Sequence, residues 1–180
     1  MSKNDRKKVD QALTSIGLLA VIVLFVLGGL AWWAYTFINT NVKSELSSQK
    51  IYFPTANSPQ LKNPLIKPYL TQYAGQQLLT GPQAKAYANH FIAVHLSKVA
   101  NGQTYAQVSS ESIANPSNIQ LKTQAQTLFQ GETLRGLLLG DAYAFSAIGN
   151  IAEIAAIVCF ITGSLMFILV LLGFWHISTL

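Results

Sequence analysis

Apolar residues are concentrated in two long runs without charged side chains, residues 11–42 and 154–180. The first run contains 23 mostly apolar residues at positions 16–38. At a rise of about 1.5 Å per residue they form a helix of about 34 Å, and a bilayer's hydrocarbon core is about 30 Å thick. Residues 154–177 of the second run are also long enough to cross. The pattern predicts two transmembrane helices.

The end of the first run has the composition of a membrane interface. It reads GLAWWAYTF and has no small-x-small cleavage site, whereas a signal peptide has a shorter apolar core that ends at such a site. Amphipathic aromatic rings prefer the interface. Four of them lie here: Trp32, Trp33, Tyr35 and Phe37. We therefore expect an uncleaved anchor with an aromatic belt at its far end.

The basic residues around the first run indicate its orientation. They are Lys3, Arg6, Lys7 and Lys8 before the run, and Lys43 and Lys50 after it. Because positively charged flanks stay in the cytoplasm, the N-terminus is expected inside, and a second crossing returns the C-terminus to the same side. The predicted location is the plasma membrane, with both termini cytoplasmic and the central domain extracytoplasmic.

The part of the chain after the first run is rich in proline. Residues 42–50 are expected to extend the first helix as a short stalk, and Pro54, Pro59, Pro64 and Pro68 follow. Proline lacks a backbone donor and favours an extended residue before it. The sequence thus predicts an extended arm. Its apolar residues are expected to dock on the helices that follow: Ile51, Phe53, Leu61, Leu65 and Ile66.

The remainder of the central part carries helix signals. In GPQAKAYANHFIAVHLSKVANG, Pro82 suits an early helical position and Asn101-Gly102 is a stop signal. Helical spacing predicts an apolar stripe of Ala88, Phe91, Ile92, His95 and Val99. A hydroxyl followed three residues later by glutamine predicts capping boxes at Thr104 and Ser117.

The last helix is expected to begin near Asn118 and to continue into the second span. A helical glycine costs about 1 kcal/mol relative to alanine, so a kink or short break is expected near Gly131 or Gly140. The predicted fold class is a mainly α membrane protein, in which two transmembrane helices flank an all-α extracytoplasmic domain with a proline-rich extended arm. The expected boundaries are 1–14 (cytoplasmic basic N-terminus), 15–38 (first transmembrane helix), 39–68 (stalk and arm), 69–145 (extracytoplasmic helical domain), 146–177 (second transmembrane helix with its entry turn) and 178–180 (cytoplasmic C-terminus).

Composition agrees with a small membrane protein. Hydrophobic residues make up 51% of the 180 residues and charged residues 11%, which is too apolar for an ordinary soluble domain. The formal net charge of +5 comes from the N-terminal cluster and scattered lysines, without a basic stripe, so no nucleic-acid partner is expected. The one cysteine, Cys159, lies in the second run and is expected to pack as a small apolar residue.

No catalytic constellation is recognisable in the sequence. His90 and His95 are five residues apart, which turns them about 140° from each other on a helix, whereas two metal ligands on one helix need a spacing of three or four. Neither a glycine-rich phosphate loop nor a G-x-S-x-G motif occurs. We therefore expect a non-enzymatic protein without a metal site or cofactor.

Small and polar residues mark the junction with the second span. At 100° per residue one face collects Ala142, Ser146, Gly149, Asn150, Glu153 and Ala156. Arg135 joins this face further out and is expected to pair with Glu132 at three-residue spacing. Small residues let helices approach closely, so these eight residues are the predicted contact with a partner. A second, deeper line of small residues follows: Ala155, Cys159 and Gly163.

Two positions are open for Glu153. Its carboxylate can mark the headgroup level at which the span begins, or it can lie slightly inside the membrane and face the first helix or another subunit, because an ionisable group in lipid is usually paired. Proton transfer is disfavoured, since no second ionisable residue accompanies Glu153 within the span.

Several phrases occur together in this chain: IYFP, YAGQQLLTGPQAKAYANHFIAVHL, TYAQVSSES and LFQGETLRGLLLGDAYAF. Over roughly residues 15–175 they resemble a family of small, functionally uncharacterised two-pass membrane proteins of actinobacteria. Members are sometimes labelled aromatic ring-opening dioxygenases, an activity that needs a metal site, which His90 and His95 do not form. The resemblance implies a shared topology and a shared partner or process.

The expected function is that of a non-catalytic integral membrane accessory or assembly protein, which presents an extracytoplasmic helical domain to a membrane or envelope complex. Its expected partners are the lipid bilayer and either another membrane or envelope protein or a second copy of the chain. One alternative is an extracytoplasmic small-ligand sensor or binding module, which needs an apolar pocket. The other is a metal-dependent enzyme, which needs His90 and His95 to converge with carboxylates from another segment.

Overall fold

The chain folds almost entirely into helices. The structure, a computed structural model, describes residues 3–179. The α-helices are α1 (Lys3–Ser48), α2 (Lys67–Leu70), α3 (Gly81–Tyr87), α4 (Ala93–Val99), α5 (Tyr105–Ala114), α6 (Ile119–Leu137) and α7 (Phe145–Thr179). There are also two π-helical segments, Ala88–Ile92 and Leu138–Ala144, and two 3₁₀ turns, Pro59–Lys62 and Thr71–Tyr73. Across residues 3–179 no strand forms, and Tyr52 and Gln77 make an isolated antiparallel bridge.

Contacts divide the chain into two compact units. The helix pair consists of Met1–Phe37 and Ile148–Leu180, and the helical domain consists of Ile38–Ala147. Two helices are long and apolar enough, by length and composition, to cross a membrane: Lys3–Ser48 and the continuous helix Ile119–Thr179. In the most apolar 18-residue stretch of each helix, only 22% (first helix) and 17% (second helix) is buried, whereas the core helix of a soluble protein is mostly buried. The mainly α class with two apolar helices is confirmed, and the topology across a membrane stays a prediction.

A seam of small residues holds the helix pair together. Gly17, Val21 and Gly28 are buried on α1. A Cβ added to Gly17 would lie 3.0 Å from Cγ2 of Val170, and one added to Gly28 would lie 2.9 Å from the Phe160 ring. The buried residues of this part of α7 repeat every seven positions: Gly149, Ala156, Gly163, Val170 and Ile177. A seven-residue period is that of left-handed knobs-into-holes packing, and the glycines allow a close approach.

The seam differs in one member from the deeper line of small residues expected in this span. Cys159 is half-buried and Gly163 is buried, but Ala155 is exposed and the neighbouring Ala156 is fully buried. A strict four-residue repeat drifts by about 40° per step around an α-helix. The residues of the seam are therefore spaced alternately three and four positions apart, so Ala156 belongs to the seam and Ala155 does not.

The helical domain begins with the end of α1. The helix continues to Ser48, so most of residues 42–50 extend it as expected, and a position outside a membrane stays a prediction. Ile38, Val42 and Leu46 are buried there in the core of the domain. The stalk is thus one wall of the domain and not a free spacer.

The proline-rich arm contains helical turns, so the prediction of an extended segment is wrong in part. Ser58 caps the 3₁₀ turn Pro59–Lys62, in which Pro59 is the first residue, and Pro68 lies in the first turn of α2. Proline fits these places because the first residues of a helix need no amide donor. The chain therefore changes direction within the arm through these short helical turns.

Backbone hydrogen bonds fasten the start of the arm to the segment that precedes α3. The Phe53 amide donates to Gln76 O (2.9 Å), and the Leu78 amide donates to Ile51 O (2.9 Å). The expected docking of apolar side chains is confirmed for Phe53, Leu61 and Ile66, which are buried, and Ile51 is half-buried. Leu65 is 62% exposed, so its predicted docking is wrong.

The helix around the two histidines begins and ends as the sequence predicts. Thr80 caps α3 with a capping box, Pro82 lies in the first turn, and Asn101 and Gly102 end α4 with positive φ angles. The buried stripe, however, has a strict four-residue period: Ala84, Ala88, Ile92, Leu96 and Ala100. A four-residue period drifts around a regular α-helix. Because a π turn contains more residues than an α turn, the segment Ala88–Ile92 keeps the residues of this stripe on one face. His95 is therefore exposed, and Phe91 and Val99 are only half-buried, contrary to the predicted stripe.

The caps of the next two helices test the capping boxes. Thr104 and Gln107 form the predicted box at the start of α5. The second box is wrong by one residue, because Asn118 caps α6 and accepts a hydrogen bond from the Leu121 amide (3.1 Å). With Ser117 as the cap, Asn118 would occupy the first helical position, and asparagine stabilises a cap better than a helix interior.

The long last helix passes Gly131 without a break. Its irregularity is the π segment Leu138–Ala144, which contains Gly140, and the helix continues through it, so the expected break does not occur at either glycine. Gly131 is a place of close approach instead. A Cβ there would lie 2.8 Å from Cδ1 of Leu96, a buried residue of α4.

Two glycines of α6 are expected to respond oppositely to alanine. Gly131→Ala should lower the free energy of unfolding of the helical domain by about 1–2 kcal/mol, because overpacking costs about 1–3 kcal/mol and helix propensity returns up to about 1 kcal/mol. Gly136→Ala is the matched control. A Cβ at Gly136 meets no atom within 4 Å, so that variant should gain about 0.5–1 kcal/mol.

The measurement is the urea dependence of amide hydrogen exchange in the full-length chain in detergent micelles. A shift of the same sign for both variants would contradict the packing of Leu96 against Gly131.

Candidate functional site

The charged pair expected above the second span is present, and it acts within the helical domain. Nη1 of Arg135 lies 2.7 Å from Oε2 of Glu132. Nε of Arg135 donates to the carbonyl oxygen of Ala88 (3.1 Å), in the π segment that precedes α4, and Nη2 donates to Asn89 Oδ1 (3.5 Å). The guanidinium group therefore links α6 to this π segment.

Two of the small residues predicted to contact a partner pack inside the helical domain. Ala142 and Ser146 are buried. A Cβ on Gly81 would lie 2.5 Å from the Ser146 Cβ, so the start of α3 occupies this face. The Ser146 hydroxyl donates to Oδ1 of Asn39 (3.3 Å). The Ser146 side chain is therefore not free to contact another protein, whereas Ala142 also lines the groove described below.

The remaining predicted residues belong to the helix pair. Gly149 and Ala156 are buried, and Asn150 is exposed. Glu153 is half-buried, which agrees with either of its two expected positions. Partner contact through these four residues stays a prediction.

The two histidines lie in different environments, and that of His95 does not agree with the stripe predicted for it from the sequence. His95 is exposed, whereas the His90 ring stacks on Tyr69 with centroids 3.4 Å apart and planes 5° from parallel. Burial lowers the pKa of the His90 imidazole below its ordinary value, since desolvation disfavours the charged form. Among residues 3–179, no group of three or more His, Cys, Asp or Glu side chains is placed to hold a metal ion.

A groove with a mainly apolar lining lies between α1 and the helix formed by α6, the second π segment and α7. Its volume is about 500 Å³. We call it the α1–α6 groove. The floor consists of Val42, Leu46, Leu138 and Ala142. The first wall carries Asn41, Glu45 and Gln49, and the second carries Leu134, Leu137, Asp141 and Phe145.

Helix periodicity builds both sides of the α1–α6 groove. On α1 the wall residues recur every fourth position, and so do the floor residues Val42 and Leu46, since positions i and i+4 share a helix face. On the other side, Leu138, Ala142 and Ser146 are buried at four-residue spacing across the π segment. That segment supplies Leu138, Asp141 and Ala142 to the groove. Single π turns within α-helices are frequent at functional sites.

The α1–α6 groove is the acidic feature of a basic domain. Residues 38–147 contain eight lysines and arginines but only four acidic residues, Glu45, Glu111, Glu132 and Asp141. Glu132 pairs with Arg135, and Glu111 accepts a hydrogen bond from Gln103 (2.8 Å). Within the described part of the chain the carboxylates of Glu45 and Asp141 have neither an ion pair nor a hydrogen bond, and both line the groove.

The groove lining combines apolar side chains with two carboxylates. An apolar floor with one unpaired carboxylate on each wall suits a ligand that has an apolar surface and positive charge. Its lining contains no cysteine, serine, histidine or lysine.

Sequence reasoning missed this groove, although part of its signal was present. Asp141 lies in the segment quoted for the family resemblance, and Glu45 interrupts the stalk. Comparisons of the chain with family models, with curated proteins and with solved structures find no match.

Proposed function

We propose that this chain is a non-catalytic, membrane-anchored accessory or assembly protein that presents its helical domain, on the extracytoplasmic side, to a membrane or envelope protein. The observation that supports it best is the α1–α6 groove, an open apolar surface flanked by two unpaired carboxylates. Two helices of sufficient length and apolarity support the membrane anchor. Membership of the actinobacterial two-pass family is part of the proposal.

The contact surface in this proposal has moved from the one expected from the sequence. Arg135 and Ser146 are engaged within the helical domain, by Ala88, Gly81 and Asn39. Leu137 is 53% exposed and Phe145 is 37% exposed on the groove wall. Exposed apolar patches of this kind commonly mark interaction sites.

A second candidate function is a small-ligand sensor or binding module. The groove volume of about 500 Å³ favours it, because pockets for small molecules span about 300–1,000 Å³. Such pockets bury most of their ligand, whereas the wall residue Leu137 is half-exposed. The open wall favours a protein contact.

Affinity purification of the full-length chain from native membranes in mild detergent, followed by mass spectrometry, tests the proposal. We expect a stoichiometric membrane or envelope protein. Leu137→Asp should reduce its recovery at least tenfold, because it places a charge on the apolar wall. Ile113→Asp is the control, since Ile113 is 78% exposed on α5, outside the groove. Purification of the wild-type chain alone would contradict the proposed function.

A further inference from the structure

The dimensions of the α1–α6 groove match those of a short helix. Its α1 wall runs from Asn41 to Gln49 and its α6–α7 wall from Leu134 to Phe145. At about 1.5 Å per residue these walls are about 12 Å and 16 Å long, or two to three helical turns. Amphipathic helices commonly bind in apolar grooves by laying one apolar face on the floor.

We propose that the α1–α6 groove binds a basic amphipathic helix of a partner protein, about three turns long. This inference rests on the proposed function and specifies the partner's chemistry. The bound helix carries apolar residues at i, i+3, i+4 and i+7 toward the floor, where Val42, Leu46, Leu138 and Ala142 are at most 6% exposed. Lysine or arginine residues flank that stripe on both sides.

The positions of the charges support a basic occupant. Glu45 and Asp141 lie on opposite walls, so a helix in the groove has one carboxylate on each flank. The groove lining includes no lysine or arginine, although the domain as a whole has an excess of positive charge. An acidic helix would meet like charges on both sides, whereas a basic one forms an ion pair with each wall.

The same charges disfavour two other occupants. An anionic phospholipid headgroup would be repelled by Glu45 and Asp141. A second copy of this chain would bring the same acidic walls together in an isologous contact, which places like charges opposite each other. Both occupants are outcomes that the experiment below identifies.

Site-specific photocrosslinking of the full-length chain in its native membrane tests the proposal. Leu137 is replaced by the photoreactive residue p-benzoylphenylalanine, and the captured peptide is sequenced by mass spectrometry. We expect a peptide from another membrane or envelope protein, with an apolar helical stripe and at least two flanking lysines or arginines. The same photoreactive residue at Ile113, outside the groove, should capture no such peptide.

Neutralising the groove charges is the second measurement. Glu45→Gln combined with Asp141→Asn should lower the capture yield about tenfold, since two exposed ion pairs together contribute roughly one power of ten in affinity. Both residues are exposed, so the fold should be preserved. Glu111→Gln removes a carboxylate from α5 in the same domain and should leave the yield unchanged.

The outcomes separate this inference from the proposed function. Any of five results would overturn the proposal of a basic helix. They are a captured partner peptide without lysine or arginine, a captured peptide of this chain itself, capture of lipid alone, no adduct at all, and an unchanged capture yield in the variant with neutralised charges. The proposed function survives any of these results if a stoichiometric partner copurifies with the wild-type chain, and it fails if no partner does.

Discussion

Replacement of Phe53 by alanine is expected to lower the free energy of unfolding of the helical domain by about 3–5 kcal/mol. The Phe53 side chain is 2% exposed. Its ring lies 5.1 Å from the Tyr73 ring and 5.4 Å from the Tyr87 ring, the latter edge to face. Truncation removes these aromatic contacts and leaves a cavity under the arm, and both effects destabilise the folded state.

The neighbouring Tyr52 provides a matched control for Phe53. Its side chain is 58% exposed, while its backbone makes the isolated bridge to Gln77. Tyr52→Ala should therefore change the free energy of unfolding by about 0.5 kcal/mol or less. Amide hydrogen exchange as a function of urea, in the full-length chain in detergent, measures both variants. Similar losses for the two would mean that Phe53 does not anchor the arm.

A second measurement reports on Tyr87, whose environment Phe53 helps to form. Burial raises the pKa of the Tyr87 hydroxyl above its ordinary value, because desolvation disfavours the phenolate. In the Phe53→Ala variant, water reaches that ring, so the pKa of Tyr87 should fall toward the ordinary value. A tyrosine titration by NMR detects the shift, which the Tyr52→Ala variant should lack.

Local signals in the sequence predict those parts of the fold that are decided locally. Thr104 and Gln107 make their capping box because both partners lie within one turn. The two apolar helices follow from composition and length alone. The π segments have no comparable signal, since one contains Gly140 and the other, ANHFI, contains no glycine. The shift of the buried stripe from His95 to Leu96 was therefore not predictable from 3.6-residue periodicity.

The candidate site depends on residues that are distant in sequence. Val42 and Leu138 meet on the groove floor, although nearly a hundred residues separate them. Periodicity assigns each of them to an apolar face, but it does not show which faces meet. Leu137 and Leu138 are adjacent leucines, and only the tertiary structure distinguishes the exposed wall residue from the buried floor residue.

Gly81→Ala is expected to destabilise the helical domain by about 2–3 kcal/mol, at the upper end of the usual range for overpacking. A Cβ at Gly81 would lie 2.5 Å from the Ser146 Cβ, 2.8 Å from the Ser146 Oγ and 3.1 Å from the Ala142 carbonyl oxygen. A Cβ atom and a carbonyl oxygen are fixed to the backbone, so no change of rotamer relieves these contacts. The start of α3 must move away from the helix that carries Ser146.

A double-mutant cycle isolates the contact between Gly81 and Ser146. Ser146→Gly alone should cost about 0.5 kcal/mol in helix propensity, in addition to the lost hydrogen bond to Asn39. In the Gly81→Ala background it removes the opposing Cβ, so much of the strain is relieved, and the coupling free energy should reach about 1–2 kcal/mol. Hydrogen exchange of the α3 amides measures each corner of the cycle. Additive losses would contradict direct packing of α3 on the Ser146 face, and that face would then be available to a partner, as the sequence had suggested.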